Sequence, residues 1–95
     1  MNRAEFEKKL AAEGYGETVE REMEAEHFNA EHSHEFDALL LFLGGEMTIA
    51  CNGKPQTFRA GDTCSVPAGT PHTERVGAGG VHYLAGRRHP AQAAG

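Results

Sequence analysis

The spacing of turn residues constrains this chain most. From Glu17 onward, the sequence is broken by Gly44-Gly45, Asn52-Gly53, Ala60-Gly61-Asp62, Pro67-Ala68-Gly69-Thr70-Pro71 and Gly77-Ala78-Gly79-Gly80. Breaks this frequent exclude helices of ordinary length and suit strands of roughly 4–8 residues. The segments between them read accordingly. Glu17 to Ala25 alternates Thr18, Glu20, Glu22 and Glu24 with Val19, Arg21, Met23 and Ala25, which predicts a half-exposed strand near a sheet edge. Phe36 to Leu43 is nearly all apolar, and Met47, Ile49 and Cys51 then alternate up to Asn52-Gly53. Asn-Gly accepts positive φ at both residues, so it marks a tight hairpin into Lys54–Arg59, whose Pro55 belongs at an edge. Thr63–Val66, His72–Val76 and Val81–Ala85 complete the series. Strands at this spacing predict an all-β sandwich or barrel.

Ahead of the strands, Ala4 to Glu13 carries Phe6 and Leu10 at helical spacing, with Gly14 as its stop. This short N-terminal helix is expected either as a surface arm or as a lid or dimer strap. The expected layout is a helical arm over residues 1–16, a barrel over 17–87 and a flexible tail over 88–95. Ninety-five residues allow a single core. Lys plus Arg is 9 against 14 for Asp plus Glu, a formal charge of −5, which opposes nucleic-acid binding. No apolar run nears the roughly 20 residues of a membrane span, and Met1–Lys9 lacks the apolar stretch of a signal peptide. A cytoplasmic location is therefore expected, with Cys51 and Cys64 as free thiols. An open edge near Val19–Ala25 predicts a homodimer in which the helix or first strand takes part.

The chemistry concentrates in Glu31-His32-Ser33-His34-Glu35-Phe36-Asp37. Residues two apart on a strand share a face, so His32 and His34 are expected to project together. Paired imidazoles suit one divalent transition metal such as Fe, Mn, Ni, Cu or Zn. His72, after the Pro67–Pro71 loop, is the candidate third ligand.

These residues carry a family resemblance: the chain resembles a small single-domain cupin. Gly61, Pro67, Gly69 and His72 reproduce the second cupin stretch, G-x5-P-x-G-x2-H, and His32, His34 and Gly45 match the first. The resemblance covers about Val19 to Arg87 and implies a cupin-type β-barrel, the double-stranded β-helix or jelly roll, with His32, His34 and His72 as metal ligands. Three positions depart from it. Glu26 stands where the first stretch has glycine, Ala38 or Leu39 where it has the ligand glutamate, and Val76 where the second stretch ends in asparagine. The resemblance thus implies a three-histidine site, or one that draws a fourth ligand from elsewhere.

Alternation sends Glu35 and Asp37 to the face opposite the histidines, whereas Glu74 shares the face of His72. Glu74 is the candidate catalytic residue, as a partner of metal-bound water or a base, with a surface pair to Arg75 or Arg59 as the alternative. His27 is expected at a strand edge, and His89, Arg87 and Arg88 in solvent. In the closing strand either His82 with Leu84 or Val81 with Tyr83 faces inward. Phe36, Leu40, Phe42, Ile49, Val66 and Val76 form the expected apolar wall. Three functions stay open: a metal-dependent enzyme, of oxygenase or isomerase type, on a small anionic or chelating substrate; a ligand-binding or sensory module without turnover; and a structural dimeric barrel.

Overall fold

A computed structural model describes residues 1–89 of the chain. One helix, α1 (Arg3–Ala12), precedes six strands: β1 (Glu17–Met23), β2 (Phe28–His32), β3 (Asp37–Cys51), β4 (Lys54–Arg59), β5 (Thr63–Val66) and β6 (His72–Arg88). The fold is all-β apart from that helix. Every pairing is antiparallel. β3 and β6 form the spine, paired from Asp37–Arg88 at one end to Cys51–His72 at the other. The outer edge of β6 takes β1 along one half and β2 along the other; the outer edge of β3 takes β5 and then β4.

The spine explains why two predicted turns are bends instead. Gly44-Gly45 and Gly77–Gly80 lie within β3 and β6, which run through them. β6 places four residues, Gly77–Gly80, opposite the single residue Glu46 of β3, a bulge that curls the sheet into a barrel. Gly45 has φ 70°, and a Cβ there would fall on the Gly80 carbonyl oxygen. Asn52-Gly53 does close the β3–β4 hairpin, both with positive φ. β1 ends the sheet, as its charged alternation predicts.

Alternation along β3 divides the core into two. Ala38, Leu40 and Phe42 point into the barrel with Met47, Ile49, Phe58, Val66, Val76, Val81 and Tyr83. Leu39 and Leu41 point outward, joining Leu84 beneath Phe6, Leu10 and Tyr15. Both faces of β3 are therefore covered, which is why Phe36–Leu43 reads as an unbroken apolar run. α1 is not a loose arm: Phe6 and Leu10 are buried against its own barrel. Each contributes about 1.5–3 kcal/mol of burial. Asn2 and Glu5 cap the helix reciprocally. Its other end is a Schellman turn, with Gly14 at φ 79° and the Tyr15 N–H donating to the Leu10 carbonyl at 2.9 Å. Gly86 leaves room for α1, since a Cβ there would run into Leu10.

The expected tail also changes. Its first residue, Arg88, belongs to β6 and holds Asp37 Oδ2 at 3.0 Å and the Glu13 carbonyl at 2.7 Å. The remainder of the predicted tail, residues 90–95, lies outside the described residues. Among the described residues no helix is long and apolar enough to cross a membrane.

Candidate metal centre

His32 ends β2, His34 lies in the loop that follows, and His72 opens β6 opposite His32 in the β2–β6 register. The two clustered histidines therefore do not share one strand, as their spacing suggests. They converge because the loop is tied down: the Gly69 N–H donates to the His34 carbonyl at 2.8 Å, and the Ala68 N–H to Asp37 Oδ1 at 2.9 Å. Ring centroids lie 4.4 Å (His32–His72), 4.8 Å (His32–His34) and 5.3 Å (His34–His72) apart. One ring nitrogen of each falls within 4.8 Å of the others.

Hydrogen bonding fixes which nitrogens face inward. His32 Nδ1 lies 2.7 Å from the Ala30 carbonyl, and His72 Nδ1 lies 2.9 Å from the Thr70 carbonyl. A carbonyl only accepts, so Nδ1 carries the proton in both rings and Nε2 keeps its lone pair. His34 stacks on Phe36 at 4.7 Å. Burial first, then the neighbouring His32 and His72, holds its pKa below the ordinary imidazole value and favours the neutral ring. These are the donors a divalent transition metal takes. Metal–nitrogen bonds of about 2.0–2.2 Å leave two ligands of one ion at most ~4.4 Å apart, so the rings fit with at most a small inward rotation.

Glu74 lies in the same cavity. Its Oε2 is 3.9 Å from His72 Nε2, its Oε1 accepts from the Asn29 amide at 2.8 Å, and its side chain is 13% exposed. Neither predicted surface partner takes it, since Arg75 lies over the Phe28 ring and Arg59 reaches Glu46. Ala38 faces the cavity and Leu39 faces α1, so neither glutamate position of the family pattern supplies a donor. Glu35 is exposed, and Asp37 is turned to Ala68 and Arg88, which hold its carboxyl below the usual range. His82 faces away from the cavity and donates to Glu20 at 2.6 Å; Val81 and Tyr83 are the inward pair. His27 pairs with Asn29, and His89 is exposed beside Phe36.

The cavity measures about 380 Å³, near the small end of ligand sites. Phe36, Leu40 and Val66 form its apolar wall, while Arg21, Tyr83 and Arg87 add polar groups. The sequence reading missed these three as site residues. Their signal is a shared parity, Arg21 with Met23 and Tyr83 with Arg87, legible once the inward face of each strand is known.

Comparison with known proteins identifies the fold independently. The family described as Cupin domain matches residues 19–85. No curated protein matches the chain. Among solved structures, oxalate decarboxylase of Bacillus subtilis, described with Mn(II) centres, superposes with TM-score 0.68 at 17% identity, covering 76% of this chain and 20% of that one. The chain thus spans about a fifth of that enzyme. An RmlC-like cupin from Shewanella frigidimarina gives 0.65 at 20% identity, covering 74% of this chain and 63% of that one. KdgF from Halomonas sp. gives 0.64 at 18% identity, covering 79% and 71%. At such identities the likeness establishes the fold.

Proposed function

The chain belongs to the cupin family, and from that premise we propose that it is a metal-dependent enzyme acting on a small anionic or chelating substrate. His32, His34 and His72 hold one divalent transition metal through ring nitrogens, and Glu74 accepts a proton or hydrogen bond beside it. One observation carries this reading: three imidazoles converge, two with Nδ1 engaged by backbone carbonyls and Nε2 left free. A metal held there supplies Lewis acidity and open coordination positions. Three neutral ligands leave the ion's charge uncompensated, which favours an anion. The oxalate decarboxylase offers a precedent, on the same fold, of a small dicarboxylate as substrate. Glu74, fixed by Asn29 and too far from His72 for a hydrogen bond, suits a base more than a ligand.

Metal analysis of untagged protein tests the site. His72→Ala should abolish stoichiometric metal while leaving a folded β domain; a variant that keeps full metal refutes the three-histidine assignment. Glu74→Gln separates roles. A base keeps the metal and loses about 10²- to 10⁴-fold in turnover. A ligand loses about 10- to 100-fold or more in metal affinity. The absence of a donor at Ala38 favours a second reading, ligand binding without turnover, in which Glu74→Gln alters ligand affinity alone.

A further inference from the structure

Three polar groups of the cavity have no role in that reading. Tyr83 is 5% exposed as a residue and lines the cavity; its hydroxyl makes no hydrogen bond to the described residues and stays open to the cavity, since no buried side-chain polar atom among them lacks a partner. A phenol hydroxyl open to a cavity and free of protein partners is available to a ligand or to water. Arg21 stands opposite Tyr83 in the β1–β6 register, lines the same cavity, and forms no ion pair among the described residues. Arg87 also lines the cavity, with its guanidinium over the Phe36 ring at 4.8 Å and a 3.5 Å contact to Glu17 at the rim. Two guanidiniums, which only donate, and one phenol, which can donate, suit an acceptor with negative charge.

We propose that Arg21, Tyr83 and Arg87 form a carboxylate clamp, so that the ligand is a small organic acid with a second oxygen-bearing end directed at the histidines. The inference rests on the proposed metal centre only for what holds that second end. The apolar wall of Phe36, Leu40 and Val66 accommodates a short carbon body between the two ends, which inorganic phosphate lacks. Burial pushes the Tyr83 phenol up to about 12, which keeps it a donor at neutral pH. A guanidinium fork matches a carboxylate in two parallel hydrogen bonds, which an ammonium does not reproduce.

The test is calorimetric titration of oxalate, malonate and succinate, with malonamide and inorganic phosphate as controls, into metal-free and Zn(II)-loaded protein. At least one dicarboxylate should bind, and malonamide and phosphate should not compete. Arg21→Gln and Tyr83→Phe should each weaken binding about 10- to 100-fold, as for hydrogen bonds to charged groups, at unchanged zinc content. Arg21→Lys should recover only part of the loss, and Tyr83→Phe keeps the shape of the wall, so a folding defect is not confounded with lost recognition. The proposal is overturned if both variants bind like wild type, if wild type binds no dicarboxylate, or if malonamide or phosphate binds as tightly. Clamp-dependent binding by protein that takes up no zinc would uphold the clamp and refute the metal centre. Stoichiometric zinc with clamp-independent binding would do the reverse.

Discussion

Ala38→Glu puts a carboxylate where the family pattern carries one. Ala38 is 8% exposed and faces the cavity beside Leu40 and Val66, with Arg87 opposite in the β3–β6 register. In metal-free protein the new group either stays charged near Arg87 or takes up a proton. Raising a glutamate from its ordinary ~4.3 to neutrality costs about 4 kcal/mol at pH 7, which sets the ceiling. Attraction to Arg87 lowers the penalty to about 2 kcal/mol, or about 10 °C in Tm at the ~4–8 °C per kcal/mol typical of domains this size. A glutamate whose folded pKa is raised binds a proton on folding, so the loss deepens as pH rises from about 4 towards 7. With zinc the sign reverses, because the carboxylate becomes a fourth ligand, and affinity should rise by at least about tenfold, ~1.4 kcal/mol. Scanning calorimetry with chelator and with zinc, plus competition against a chromogenic chelator, measures both arms. A variant that melts with wild type and binds zinc no better refutes the placement of Ala38. One destabilised equally in both conditions refutes the metal.

Asp37 accepts from the Ala68 N–H and from Arg88, and its pKa lies below the usual carboxylate value. Its stabilisation is therefore full above about pH 4 and lost as pH falls through the depressed folded value; Asp37→Asn should flatten this acid limb in melts across pH 2–6, and an unchanged limb counts against the pairing. Glu26 holds φ 65°, the region where the family pattern carries glycine; Glu26→Gly should add about 1 kcal/mol in urea unfolding by removing that strain, and a loss of stability would contradict it. Gly86→Ala should cost about 1–3 kcal/mol by displacing Leu10, and the penalty should shrink in a Leu10→Ala background; additive losses would show that α1 does not press there. A homodimer through the open edge of β1 should appear in sedimentation at tens of micromolar, roughly the range reached by interfaces of ordinary size, and a monomer there refutes it.

Much of this was legible because local chemistry and tertiary context agree. Asn52-Gly53 closes its hairpin, Gly14 ends its helix, and Gly61, Pro67, Gly69 and His72 keep a family spacing that the fold explains: the loop they shape ties down His34 and presents His72. Glu74 was placed by parity with His72 alone. What failed needed long-range information. Gly44-Gly45 and Gly77–Gly80 have the composition of turns, but facing strands hold them as bends. β2 escaped notice because Phe28–His32 is mostly exposed and lacks an apolar face. Whether Tyr83 or His82 points inward depends on register shifts between β3 and β6, so Arg21, Tyr83 and Arg87 could not be assembled from the sequence.

The β3–β6 spine has a kinetic consequence. Its pairs join Asp37 to Arg88 and Cys51 to His72, so the chain must close long loops before those contacts stabilise it. Among the described strand pairings, the β3–β4 hairpin is the local one. His32 and His72 meet across β2 and β6, strands that become neighbours only once β6 is in place. A metal at the proposed site cannot template this fold early, since His72 joins His32 and His34 only when β2 pairs with β6. In stopped-flow refolding, the metal signal should rise with the slowest phase, and added metal should slow unfolding without hastening folding.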